Sequence, residues 1–97
     1  MRLDRFLFFI RLVKSRTLAQ ALIAAGKVRL DGKRVDKAAE NVRVGTVIAM
    51  PINGEVRILR ILSLPSRRGP ASEARACYED LGEAREFANV SHQDAID

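Results

Sequence analysis

Cysteine and histidine are almost missing from this chain: Cys77 and His92 are the single examples among 97 residues. A lone cysteine cannot close an internal disulfide. With no CxxC pair and no Cys/His cluster, nothing has the spacing of a metal site, so neither a metal nor a cofactor is expected. Cys77 reads as a small buried side chain, and His92, in a polar tail, as a solvated one. The chain also lacks a glycine-rich phosphate loop and a nucleophile beside a base, and its carboxylates are scattered; the expectation is not an enzyme. No apolar run approaches the roughly 20 residues of a membrane span, and the start MRLDRFL lacks the uninterrupted apolar region of a signal peptide. A cytoplasmic protein with no membrane partner is therefore expected. There are no internal repeats and no low-complexity tract.

What is abundant is positive charge. The net charge is +5 and the isoelectric point near 10.1. It is unevenly placed: residues 1–65 carry 13 Lys/Arg against 5 Asp/Glu, a net +8, and residues 66–97 carry 4 against 7, a net −3. A basic body with an acidic tail points to nucleic acid; an anionic membrane surface is the weaker reading, because no long apolar helix backs the charges. A chain of this length makes one small domain, which buries only about 60–65% of its unfolded surface and has little core to spare for a deep active site.

At about 100° per residue, Leu3, Phe6, Leu7, Ile10 and Val13 share one stripe of a first helix. Phe8 and Leu12 fall well off it, so each needs cover from a later segment or offers a docking surface. Ser15 suits the N-cap of a second helix with Leu18, Ala19, Leu22 and Ile23 as its buried stripe; Thr17 with Gln20 is an alternative capping box. Gly26 ends that helix. Asp31-Gly32, between Val28-Arg29-Leu30 and Lys33-Arg34-Val35, signals a two-residue hairpin turn, and Asn53-Gly54 predicts a second hairpin from Val47 to Leu64. PSRRGP, at 65–70, breaks the pattern. Beyond it, Ala74, Cys77, Tyr78 and Leu81 fall on one side of a helix expected over 72–88, and the last nine residues are expected to fray. The fold class expected is α+β: two N-terminal helices packed on a small, mainly antiparallel sheet, with a C-terminal helical tail. The divisions expected are a domain at 1–65, a linker at 66–71 and an acidic tail at 72–97, helical and then disordered.

Arginines occupy places that a core pattern does not need. Arg16 lies in the first turn of the second helix, where the macrodipole disfavours a cation, and Lys14 stands just before the cap. The free N–H groups of a helix start bind phosphate, so the two cations reinforce an anion site. The hairpin register sets Arg29 opposite Arg34, a destabilising like-charge pair that an anion would relieve, with Lys27 on the same face near Asp36. Asp4, the one acid in the first basic segment, reads as a first-turn carboxylate or a partner for an arginine.

The segments RLDRFL, KSRTLAQALIAAGKVRLDGKRV and NVRVGTVI together resemble the RNA-binding module of small-subunit ribosomal protein four, the alpha-L motif, over roughly residues 1–50. The following RRGPASEARACYEDL is similar to the segment after this module in the ribosome-associated heat-shock protein 15 family. The resemblance implies a factor that binds ribosomal RNA on the large ribosomal subunit and helps recycle stalled subunits carrying peptidyl-tRNA after heat stress. It maps an RNA face onto Arg2, Arg11, Lys14, Ser15, Arg16, Thr17, Gln20, Lys27, Arg29, Lys33 and Arg34. Family members often continue into a long basic extension, whereas SHQDAID is acidic, which puts any function of that extension in doubt. Phosphates would supply affinity and few bases would be read. The rivals are a ribosome-assembly or quality-control adaptor, a DNA-binding protein, and a fragment of an RNA-modifying enzyme, the last disfavoured by length. A monomer is expected.

Overall fold

The computed structural model describes residues 1–83. Three helices, α1 (Leu3–Phe9), α2 (Arg16–Ala24) and α3 (Ala71–Arg75), accompany five strands: β1 (Val28–Leu30), β2 (Lys33–Val35), β3 (Val47–Ile52), β4 (Glu55–Ile61) and β5 (Tyr78–Glu83). The strands form one antiparallel sheet in the order β2-β1-β3-β4-β5. The α+β class and the two N-terminal helices follow the sequence.

Both predicted hairpins form with the register that their turns dictate. Val28 pairs with Val35, Arg29 with Arg34 and Leu30 with Lys33. The central turn residues all take left-handed backbone, Asp31 at φ 49° and Gly32 at 83°, Asn53 at 51° and Gly54 at 82°. Positive φ at both positions matches the right-handed twist of the strands, and Asn, Asp and Gly adopt it at least cost. The second hairpin ends at Ile61, short of Leu64.

The helices cover one face of the sheet. Leu3, Phe6, Leu7 and Ile10 meet Ala19 and Ile23 of α2 and Val28, Leu30, Ile48, Met50 and Ile61 of the sheet in one core, which Val13, Val42, Ala74 and Cys77 extend. The predicted stripe of α1 is buried throughout. The helix itself stops at Phe9, and a turn carries Val13 inward. On α2 the stripe is narrower than expected. Ala19 and Ile23 are buried and Leu22 is half-buried, but Leu18 is 49% exposed, because it lies about 100° or more around the helix from Ala19 and Ile23.

The tail departs most from expectation. In place of a helix over 72–88, α3 spans five residues and the chain then extends into β5 against β4. The spacing of Ala74, Cys77, Tyr78 and Leu81 suits a helix locally, but β4 would otherwise be an open edge with unpaired backbone groups. Pairing sets Arg57 and Arg60 beside Asp80 and Glu79, at 2.9 and 3.4 Å. A register shift opposite Ile58 and Leu59, with Gly82 at φ 108°, lets the strand fit. The rest of the predicted helix, the fraying expected for the last nine residues, His92 and SHQDAID lie outside the described residues.

The segment between β4 and α3 covers the far side of α1. The Arg68 guanidinium lies 4.7 Å from the centre of the Phe8 ring, and its Nε donates to the Phe8 carbonyl at 3.1 Å. Arg11 Nε donates to the Gly69 carbonyl at 2.7 Å. Leu12 and Tyr78 are half-buried against the core. Phe8 and Leu12 therefore serve packing.

Candidate RNA interface

Asp4 organises the start of both helices. Its side chain is fully buried, and it accepts hydrogen bonds from Arg2 Nε and Nη2 at 3.1 and 3.2 Å, Arg16 Nη2 at 3.1 Å, Gln20 Nε2 at 3.0 Å and the Arg5 backbone at 2.8 Å. Burial alone would raise the carboxyl pKa. The bonds from Arg2, Gln20, Arg16 and the Arg5 backbone outweigh it and hold the group well below the usual carboxylate range. The carboxylate thus stays charged, with Arg2 and Arg16 fixed around it. This corrects the argument that Arg16 stands at a helix start at uncompensated cost, because Asp4 offsets the macrodipole from within the fold.

The two helix starts differ in what they leave open. At α1 the Leu3 and Asp4 N–H groups donate to the Glu40 and Ala38 carbonyls, at 2.8 and 3.2 Å. At α2 the Ser15 hydroxyl takes the Leu18 N–H at 3.1 Å, as its N-cap role predicts. The Arg16 and Thr17 N–H groups meet no acceptor among the described residues. Gln20 serves Asp4 and not a capping box with Thr17. The start of α2 thus keeps two free N–H donors of the kind that anions bind, with Lys14 exposed beside them and Arg16 anchored to Asp4.

The hairpin holds the other cations. Strand alternation puts Leu30 and Lys33 on the core side of the sheet, and Arg29 and Arg34 on the opposite side. Arg34 folds back over the end of α2. A Cβ placed at Gly26, which has φ +73°, would lie 3.1 Å from Arg34 Cδ. The α2 helix spans about 14 Å, so the Arg2–Arg16 cluster and Arg34 sit near its two ends. Lys14, Lys27, Arg29, Lys33 and Arg34 make no ion pair among the described residues. Arg11 stands apart: at φ 64° it turns its guanidinium to the Gly69 carbonyl, so its role in the fold is to tie down the covering segment. The acids of β5 pair with arginines of β4, at the far edge of the sheet from the hairpin.

Arg43, in the quoted NVRVGTVI, was not among the predicted residues, and it lines a groove beside Lys33. Its position in that motif was the available signal.

Residues 1–48 match the S4 domain family. This is an S4-domain protein. The chain is homologous to heat shock protein 15 of Escherichia coli, 33% identical over 85 residues, which are 88% of this chain and 63% of that protein. The homologue from Haemophilus influenzae is also 33% identical, over 81% of this chain and 60% of its own length. The chain therefore matches somewhat under two thirds of these relatives. The RQC P-site tRNA stabilizing factor of Streptococcus pneumoniae is 24% identical over 93% of this chain and the whole of that protein. Among solved structures, trimeric heat shock protein 15 of Vibrio cholerae superposes with a TM-score of 0.80 at 26% identity, covering 99% of this chain and 94% of that one. The S4 domain, an RNA-binding module of the alpha-L type, holds every residue of the predicted RNA face. That relative is a trimer, so it lends no support to the expected monomer. No helix among the described residues is long and apolar enough to cross a membrane.

Proposed function

We propose that this S4-domain protein binds structured ribosomal RNA on the large ribosomal subunit and acts in the rescue or recycling of stalled subunits carrying peptidyl-tRNA after heat stress. One observation carries the reading. Lys14, Lys27, Arg29, Lys33 and Arg34 stay without ion pairs around α2 and its hairpin, while the acids of β5 are spent on β4 arginines. Arg5, Lys37, Arg43 and Arg75 are also without ion pairs among the described residues, but these five cluster around α2 and its hairpin, where an outside polyanion can take them together. Arg2 and Arg16, held by Asp4, and Ser15, Thr17 and Gln20 beside them complete the face. Arg11 joins it only through the segment it anchors. The kinship with heat shock protein 15 supports the ribosomal assignment. The name of the pneumococcal relative, a P-site tRNA stabilizing factor, supports peptidyl-tRNA as the neighbouring ligand and keeps a quality-control adaptor as the second reading.

Sedimentation separates these readings from each other and from no ribosomal role. A recycling factor travels with free large subunits and with subunits loaded with peptidyl-tRNA; an adaptor of general quality control also appears on whole ribosomes. Binding to purified ribosomal RNA should weaken with a log–log salt slope of about −4 to −6, as expected for five to seven phosphate contacts. Salt-independent binding would refute the phosphate mechanism.

A further inference from the structure

The side of the hairpin away from Arg29 and Arg34 holds a feature that phosphate binding does not use. An open groove of about 550 Å³ runs between the hairpin and the turn at 43–46. Leu30, Val35 and Val44 give its otherwise polar lining an apolar part. Val44, at 59%, is the most exposed of the large apolar side chains among the described residues. The turn that presents it is firmly built. Arg43 N–H donates to the Thr46 hydroxyl at 3.2 Å, Thr46 N–H to the Arg43 carbonyl at 3.0 Å, and Gly45 N–H to the Ile61 carbonyl at 2.8 Å.

Lys33 belongs both to the unpaired cations described above and to the rim of this groove, where acids accompany it. Lys33 and Arg43 are balanced by Asp31 and Glu40, and none of the four makes a salt bridge among the described residues. Formally neutral, the groove offers no net attraction to phosphate. It presents separate acceptors and donors beside apolar side chains, which suits a flat, neutral, polar-edged group. Unpaired bases are the parts of RNA that proteins reach on their hydrogen-bonding edges.

We propose that this groove takes one extruded base of the bound RNA, with guanine favoured. Guanine offers two adjacent N–H donors to a carboxylate and an acceptor edge to an arginine. Glu40 takes the donors, Arg43 serves the acceptor edge, and Val44 and Leu30 pack against the ring. Lys33 lies at the rim, where the backbone leaves the groove toward the phosphate face. The inference rests on the RNA-binding function proposed above and adds to it a site of sequence discrimination.

The test uses the full chain and RNA duplexes alike except at one position: a single bulged guanine, adenine, cytosine or uracil, an abasic bulge, or no bulge. Fluorescence anisotropy should show the bulged guanine bound about tenfold more tightly than the abasic bulge. Glu40→Gln and Val44→Ser should each erase most of that preference. Neither should weaken binding to the continuous duplex, which Glu40→Gln should bind slightly better because it removes an anion. Guanine and abasic bulges bound equally by the wild type would overturn the subsite while leaving the phosphate-binding function standing. Equal losses on bulged and continuous RNA would show that these residues serve only the fold, with circular dichroism of each variant as the check. Failure of the wild-type chain to bind any of the duplexes would overturn both readings.

Discussion

Replacing Asp4 with Asn tests whether one buried carboxylate holds the two helix starts together. The change is nearly isosteric, yet it removes the charge that accepts from Arg2, Arg16, Gln20 and the Arg5 backbone. It also turns an amide N–H₂ toward groups that are themselves donors. Breaking a buried ion pair by altering one partner costs about 3–5 kcal/mol. The side chains of Arg2 and Arg16 are 46% and 39% exposed, so part of that loss returns as hydration of the arginines. The net expectation is about 2–4 kcal/mol, or a fall in Tm of roughly 10–25 °C for a domain of this size. The pH dependence gives an independent check. A carboxyl whose folded pKa lies below its unfolded value near 3.9 contributes stability above about pH 4 and loses it as the pH falls through the folded value. Wild type and Asp4→Asn should therefore differ most at neutral pH and converge in strong acid. Melting curves at pH 7 and at successively lower pH read both quantities. A loss under about 1 kcal/mol at pH 7, or a gap that stays constant into strong acid, would refute the account of Asp4.

Two further outcomes follow from other contacts. Arg29→Thr removes one member of the cross-strand pair with Arg34, so Tm should hold or rise slightly, while RNA affinity falls and the salt slope becomes shallower by about one; a drop of many degrees would make Arg29 structural. Arg68→Ala frees the Phe8 ring and carbonyl and should lower stability by about 1–2 kcal/mol with RNA affinity unchanged, read by melting and binding on the same samples.

Legibility in the sequence tracked the range of the interactions. Asp31-Gly32 and Asn53-Gly54 specify their turns within two residues, so both hairpins and the Arg29–Arg34 pairing could be derived without a partner in view. The Ser15 cap and the stripe of α1 were equally local. The helix expected over 72–88 failed because a period of three to four residues cannot report an open edge on β4, whose Arg57 and Arg60 lie 23 and 19 residues from Asp80 and Glu79. Leu18 looked buried because periodicity marks the centre of a stripe and not its width, and the core takes only the Ala19–Ile23 line. At the candidate site, the cations were visible as types and positions. Their sorting was not: Arg16 draws its compensation from a carboxylate 12 residues away, and Arg11 is turned from the S4 face by its left-handed backbone and the Gly69 carbonyl.

The order of the strands also separates charge across the described sheet. The basic hairpin forms one edge and β5, with Glu79, Asp80 and Glu83, the other, four strand spacings or about 19 Å away. At physiological ionic strength the Debye length is about 8 Å, so the acidic edge lies more than two screening lengths from the cations and scarcely reduces their pull on phosphate. In dilute salt the two edges act together. A polyanion then exerts a torque that swings the hairpin toward it and the acidic edge away. Diffusional encounters are thereby aligned before any contact forms, and that alignment fades as salt is added.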